Sequence, residues 1–73
     1  MNYKRKLDKK KIGLNLYKLF ASSNHTYDAV AEFLMLKTSR VIYDWFDGKK
    51  MPSTENLWNL AEFFNVHIED ILS

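Results

Sequence analysis

Apolar residues recur three and four positions apart along most of this chain, the spacing that puts side chains on one face of an α-helix. The stripe is most regular between Thr54 and Phe64. Its apolar members are Leu57, Leu60, Ala61 and Phe64. Ser53, just before the stripe, suits an N-cap, and Asn65, just after it, suits the left-handed C-terminal position. We therefore predict an amphipathic helix over about Thr54–Phe64.

A similar stripe lies near the start of the chain. It is formed by Ile12, Leu16, Leu19 and Phe20. Asp8 suits the N-cap of this helix, which we expect to end near Ser22. Gly13 interrupts the helix at a cost of about 1 kcal/mol relative to alanine, so we expect this glycine to allow close packing against another element.

Two further helices complete the regular pattern. One, of about Tyr27–Leu34, follows Thr26 as its N-cap. Its stripe is Tyr27, Val30, Ala31 and Leu34. A last short helix is expected after His67, where Ile68, Ile71 and Leu72 close the core. With one more helix between residues 37 and 48, these elements predict an all-α fold of five short helices.

The segment 37–48 combines an apolar anchor with a compact polar face. Thr38 suits its N-cap, and Gly48 suits the left-handed position beyond its end. Its apolar side is formed by Ile42, Trp45 and Phe46, of which we assign the first two to the core. Its polar side carries Ser39, Arg40, Tyr43, Asp44 and Asp47. Because a short helix anchored in this way can present polar side chains to base edges in a major groove, we interpret it as a recognition helix.

Charge is unevenly distributed along the 73 residues, although the net charge is only +2. Residues 1–11 carry six Lys or Arg and one Asp, whereas residues 51–73 carry four acidic residues and no Lys or Arg. This polarity suggests that one surface meets an anion and another does not. We divide the chain into a basic tail, residues 1–10, and a domain, residues 11–73. The tail is either a solvated terminus or an arm that follows phosphates or enters a minor groove.

Several short fragments, in order and at matching spacing, resemble the Cro/repressor-type (XRE-like) helix-turn-helix family. They are Ile12-Gly13, Thr26, Val30-Ala31, Thr38, Tyr43-x-Trp45-x-x-Gly48, Pro52-Ser53-x-x-Asn56-Leu57, Leu60-Ala61 and Val66-x-Ile68-x-Asp70-Ile71-Leu72. The resemblance covers about Lys11 to Ser73. It implies a lambda-repressor-like domain that binds double-stranded DNA in a bacterial or phage transcription regulator, with Thr38–Asp47 as the helix in the major groove.

The resemblance also implies roles for individual side chains. Base contacts would come from Ser39, Arg40, Tyr43 and Asp44. Phosphate contacts would come from Thr26, Tyr27, Lys37, Lys49 and Lys50. The chain departs from the family pattern in three respects. The turn before the recognition helix is one residue longer and lacks the usual glycine, Phe46 stands where an acid or glutamine often follows the tryptophan, and Asp44 and Asp47 face a negatively charged partner.

The chemistry of these side chains leaves alternatives open. Arg40 can donate two hydrogen bonds to guanine O6 and N7, or it can contact a phosphate or solvent. Ser39 can contact a base, or it can hydrogen-bond only to the backbone at the start of its own helix. Tyr43 can touch a thymine methyl, a phosphate or the edge of the core. Asp44 can accept from cytosine N4, or it can hold Arg40 four residues back along the helix.

The sequence contains no recognisable catalytic constellation. It has no cysteine and no glycine-rich phosphate loop, and its two histidines, His25 and His67, are not accompanied by a matching pair of acids. We expect His25 to be solvated in a loop, and we expect no enzyme activity, cofactor, metal or small-molecule site. Since no apolar run approaches the ~20 residues of a membrane span and no signal segment follows the basic start, we expect a cytoplasmic protein.

The sequence is therefore consistent with two functions. The first is sequence-specific DNA binding by a homodimer, either weak or stable, on an inverted repeat with half-sites ~34 Å apart. The second is the same fold used for protein contact, as in a phage or toxin–antitoxin component, which the acidic residues Asp44 and Asp47 and the acidic C-terminal third favour. Trp58 and Phe63 lie off the main stripe of their helix. They either complete the core or form an exposed apolar patch for a partner.

Overall fold

The computed structural model describes residues 6–73, and this part of the chain folds into five helices without a strand. The helices are α1 (Lys9–Ala21), α2 (Tyr27–Phe33), α3 (Arg40–Phe46), α4 (Thr54–Phe64) and α5 (Ile68–Leu72). The predicted all-α fold of five short helices is confirmed. Half of the predicted basic tail, residues 1–5, lies outside the described residues, and its last two positions already belong to α1.

Three of the predicted N-caps close their helices with side-chain hydrogen bonds. The Asp8 carboxylate accepts from the amides of Lys10 and Lys11, at 3.0 and 3.3 Å. Thr26 and Ser53 act in the same way, with their hydroxyls accepting from amides three residues later at 3.0 and 3.1 Å. These bonds satisfy amides that the first turn of a helix leaves without a partner.

The end of α4 and the start of α5 are also fixed locally. Asn65 adopts the left-handed conformation, with φ of 58°, as predicted for the residue that ends α4. At the start of α5 the Asp70 carboxylate accepts from the amide of His67 at 3.2 Å. Helices α4 and α5 pack against each other across this connection.

The core is formed by side chains from all five helices. Its buried members are Ile12, Leu16, Val30, Ala31, Leu34, Ile42, Trp45, Leu57, Leu60, Ala61 and Ile71. The assignment of Ile42 and Trp45 to the core is confirmed, with 0 % and 3 % of their surface exposed. None of the helices in residues 6–73 combines the length and apolar character needed to cross a membrane.

Helix α1 packs against both α3 and α5. At Gly13 the helix runs so close to the carbonyls of Trp45 and Phe46 that a side chain there would collide with them. The expectation that Gly13 permits close packing is confirmed.

Helix α1 is also hydrogen-bonded to α5. Asn15 of α1 donates from Nδ2 to the carbonyl oxygen of Ile71 at 2.8 Å, a bond that the apolar pattern did not predict.

Candidate nucleic-acid interface

Helix α3 is shorter than the predicted recognition helix. It begins at Arg40 with Ser39 as its N-cap, so the prediction of Thr38 as the cap was one position too early. The Ser39 side chain makes no capping bond, whereas the Thr38 hydroxyl accepts from the amide of Arg40 at 3.2 Å. Thr38 therefore still supports the first turn, although from outside it. Gly48 has the predicted left-handed conformation, with φ of 75°.

The two faces of α3 are separated as the pattern predicted. Ile42 and Trp45 are buried, while Arg40 and Tyr43 are exposed, the latter to 49 %. Because the apolar side is held in the core, the helix cannot rotate to bury its polar side. Arg40 and Tyr43 therefore remain available to a partner.

A shallow depression on the surface brings together all four side chains predicted to contact bases. It is lined by Thr38, Ser39, Arg40, Tyr43, Asp44, Asp47 and Lys49. Two of the residues predicted to contact phosphates touch residues of this depression. The Tyr27 ring stacks on Tyr43, and the Lys50 ammonium pairs with the Asp44 carboxylate. Thr26 and Lys37 are exposed but do not line the depression. Whether any of these residues touches DNA remains a prediction.

Asp44 is paired with a lysine that lies beyond the helix. Its carboxylate is 3.6 Å from the Lys50 ammonium, and the backbone carbonyl of Asp44 accepts from the amides of Lys49 and Lys50. The alternative in which Asp44 holds Arg40 is thus wrong in this structure. The turn at Gly48 brings Lys50 back against the helix end, and this pairing depends on a loop conformation that helical spacing does not describe. An ion pair this exposed contributes about 0–1 kcal/mol to folding.

Tyr27 and Tyr43 form a stacked pair across the helix-turn-helix. Their ring centroids are 4.2 Å apart and their planes are inclined by 18°. Burial raises the pKa of the Tyr27 hydroxyl, and the neighbouring phenols of Tyr43 and Tyr17 raise it further. Since an ordinary tyrosine has a pKa near 10, the Tyr27 hydroxyl keeps its proton at neutral pH and can donate a hydrogen bond.

Two lysines assigned to the tail lie beside the C-terminal end of α3 instead. The Lys9 ammonium donates to the carbonyl oxygen of Lys49 at 3.3 Å. The backbone of Lys10 lies against Gly48, where an added Cβ would be 2.9 Å from the Lys10 Cα. The start of α1 therefore extends the cationic rim formed by Lys49 and Lys50. The predicted Asp8 cap was the sequence signal that α1 begins this early.

The turn before α3 contains the strained position of the motif. Met35 has φ of 59° and is 90 % exposed. A left-handed conformation is unusual for a residue with a side chain, and glycine adopts it without strain. Met35 is thus a position at which glycine would be less strained than the residue present.

The aromatic residues off the α4 stripe behave differently from each other. Trp58 is 64 % exposed and does not complete the core. Phe63 is half-buried, with the rings of His25 and Phe33 packed on it at centroid distances of 4.5 and 4.9 Å. His25 is exposed but not merely solvated, because its ring covers part of Phe63. Within residues 6–73, no three His, Asp or Glu side chains are grouped so that they could hold a metal ion.

Comparisons with known proteins agree with this architecture. A family model described as helix-turn-helix matches residues 16–71. Among solved structures, the SOS-response transcriptional repressor LexA from Eubacterium rectale superposes with a TM-score of 0.83 at 23 % identity, over 90 % of this chain and 69 % of that one.

Two further solved structures are similar. The restriction-modification controller protein C.AhdI from Aeromonas hydrophila has a TM-score of 0.77 at 19 % identity, over 88 % of this chain and 96 % of that one. The DNA-binding domain of BldD has a TM-score of 0.74 at 19 % identity, over 90 % of this chain and 94 % of that one. At these identities the likeness shows the fold. A comparison with curated protein sequences gives no match.

Proposed function

Because the chain belongs to the Cro/repressor-type helix-turn-helix family, we propose that it is a transcription regulator that binds double-stranded DNA sequence-specifically, with α3 in the major groove. The observation that carries the proposal is the exposed pair Arg40 and Tyr43, on a helix whose opposite side is fixed in the core by Ile42 and Trp45. A rigid helix with free polar side chains meets the geometric requirement for reading base edges.

Base contacts are proposed for Ser39, Arg40, Tyr43 and Asp44. Arg40 is suited to guanine, because its guanidinium can donate to O6 and N7 together. The methyl group of thymine suits the half-exposed ring of Tyr43. Asp44 can accept from cytosine N4, a contact that competes with its ion pair to Lys50.

Phosphate contacts are proposed for Thr26, Tyr27, Lys37, Lys49 and Lys50. Thr26 and Tyr27 stand at the start of α2. The Thr26 hydroxyl and the Tyr27 phenol can each donate a hydrogen bond to a phosphate oxygen. The lysines flank α3 on both sides, and Lys9 and Lys10 extend this cationic rim. Such contacts set the register on the duplex without reading sequence, and they make binding fall with salt.

The names of the similar structures support regulation as the purpose of binding. LexA is called a transcriptional repressor, C.AhdI a controller protein, and the BldD structure a DNA-binding domain. We propose that this chain likewise acts by occupying DNA rather than by catalysis. A weak homodimer on an inverted repeat, with half-site centres ~34 Å apart, would double the contacts of a single small domain.

A second candidate is a helix-turn-helix used for protein contact. It is favoured by the exposed Trp58 on α4, in a part of the chain whose charged residues are all acidic. An exposed aromatic side chain among acids suits a protein surface better than a phosphate backbone. Failure to bind any duplex at low salt, together with recovery of a tight protein partner, would favour this candidate.

The experiment that tests DNA binding is selection from a pool of random duplexes, with affinities measured at several salt concentrations. We expect a defined sequence to be enriched and to bind more tightly than random duplexes at every salt concentration. Specific sites are commonly bound about 10³-fold or more above non-specific DNA. Enrichment of no sequence, with the same salt-dependent affinity for all duplexes, would refute sequence-specific recognition.

A further inference from the structure

The stack between Tyr27 and Tyr43 joins the first turn of α2 to the exposed face of α3. At 4.2 Å between centroids and 18° between planes, the rings lie nearly flat against each other. Tyr43 is nonetheless 49 % exposed, so one part of its ring is covered while the rest faces solvent. A side chain held in this way is restricted in the rotamers it can adopt.

Tyr27 is itself held in place from behind. Its ring packs against Phe20 of α1 and Phe46 of α3, at centroid distances of 4.5 and 5.8 Å. The first turn of α2 is fixed by the hydrogen bond from the Ala29 amide to the Thr26 hydroxyl. Tyr27 is therefore fixed by its packing, and Tyr43 is the member of the pair that extends into solvent.

We propose that Tyr27 is a positioning residue for base recognition, which fixes through this stack the orientation in which Tyr43 meets the DNA. The inference rests on the proposed function, and it gives the Tyr27 ring a role separate from any phosphate contact of its hydroxyl. An interface side chain that is ordered before binding loses less conformational entropy when the complex forms. A base pair that demands another orientation of Tyr43 breaks the stack and is disfavoured.

Two substitutions separate the ring from the hydroxyl. Tyr27→Phe removes the hydroxyl and keeps a ring that can stack on Tyr43. Tyr27→Leu keeps an apolar side chain at the edge of the core and removes the ring. A phosphate contact depends on the hydroxyl, so both variants lose it equally. Positioning depends on the ring, so only the leucine variant loses it.

The experiment measures binding of each variant to the selected duplex and to duplexes with one base pair changed at each position. For Tyr27→Leu we expect the preference at the base pair read by Tyr43 to fall about twofold to tenfold, the range that an aromatic pair contributes. Tyr27→Phe keeps that preference. In a Tyr43→Leu background, Tyr27→Leu produces no further loss at that base pair, because the side chain to be positioned is gone.

Tyr17 provides the matched control. It is 47 % exposed and packs edge-on against Phe46 at 5.8 Å, within the same aromatic cluster. Tyr17→Leu therefore removes an aromatic ring from the same cluster but leaves the Tyr27–Tyr43 stack. We expect it to keep the base preference, and thermal denaturation of all variants verifies that they are folded.

The possible failures are distinct. If Tyr27→Leu lowers affinity for every duplex alike, or if Tyr27→Phe and Tyr27→Leu behave the same, Tyr27 does not position Tyr43. An equal loss of preference in Tyr17→Leu contradicts the inference too, since the effect then belongs to the whole cluster. A wild-type protein without any sequence preference refutes the proposed function, and this inference with it.

Discussion

Gly13 in α1 lies directly against the backbone carbonyl of Trp45 in α3, with no space between the helices for a Cβ atom. The same stretch of α1 buries Ile12 and Leu16 in the core. Trp45 is therefore held by its own burial and by the backbone of a helix outside the helix-turn-helix. This contact sets the distance of α3 from α1, and with it the position of the polar face that carries Arg40.

Replacing Gly13 with alanine tests this contact. Alanine gains about 1 kcal/mol of helix propensity, but its methyl group meets a backbone atom, which cannot move aside as a side chain can. We expect Gly13→Ala to lower the free energy of unfolding by about 1–3 kcal/mol, measured by urea denaturation. Leu14→Ala, in the same helix but half exposed, should cost far less. A rise in the free energy of unfolding by the full ~1 kcal/mol of helix propensity would show that the helices are not in close contact.

The turn before α3 offers a stabilising substitution. Met35 is left-handed and its side chain is almost fully exposed, so glycine removes strain without removing buried contacts. We expect Met35→Gly to raise the midpoint of thermal denaturation, by an amount that corresponds to about 0.5–1 kcal/mol. Lys37→Gly, at an exposed turn position without a positive φ, should be neutral or destabilising. A drop in the midpoint for Met35→Gly would mean that its side chain makes contacts that the structure does not contain.

The two tryptophans are expected to contribute very differently to the stability of the fold. Trp45 is 3 % exposed and Trp58 is 64 % exposed. Trp45→Ala should cost about 3–5 kcal/mol, enough to unfold a domain of this size, whereas Trp58→Gln should change stability by about 0.5 kcal/mol or less. Circular dichroism with thermal denaturation measures both. If Trp58→Gln is destabilising only at high protein concentration, Trp58 is buried in a self-association interface.

Asp44 places a negative charge among side chains proposed to face DNA. Asp44→Asn removes that charge and releases Lys50 from its ion pair. We expect random-sequence duplexes to be bound more tightly, with the slope of log affinity against log salt steeper by about one, while preference at one base pair weakens. Glu62→Gln on α4 removes the same charge from an exposed position outside the depression and should change neither quantity. Unaltered affinity for random duplexes would place Asp44 away from the phosphates.

How far the sequence predicts this molecule depends on the range of each interaction. The spacing of Ile42 and Trp45 identified the buried side of α3, and Asn65 identified the end of α4, because both signals are local. Of the two roles left open for Asp44, the pairing with Arg40 is not formed, since the turn at Gly48 brings Lys50 to its carboxylate.

Other features depend on contacts between separate helices. The stack of Tyr27 on Tyr43 and the bond from Asn15 to the end of α5 join residues that no sequence period relates. The strain at Met35 could be suspected only from the missing glycine of the turn. The sequence therefore predicts which side chains of the candidate surface are exposed. It does not predict the contacts that these side chains make with one another.

The most direct test of sequence recognition by α3 is the effect of Arg40→Ala, compared with Lys49→Ala, on binding to the selected duplex and its single-base-pair variants. Arg40 is exposed on α3 and Lys49 in the loop after it, so neither substitution should disturb the fold. Arg40→Ala is predicted to abolish preference at one base pair, worth about 1–3 kcal/mol, while Lys49→Ala weakens all duplexes alike and lowers the salt slope by about one. If Arg40→Ala weakens every duplex equally and leaves all base preferences intact, α3 does not read sequence through Arg40.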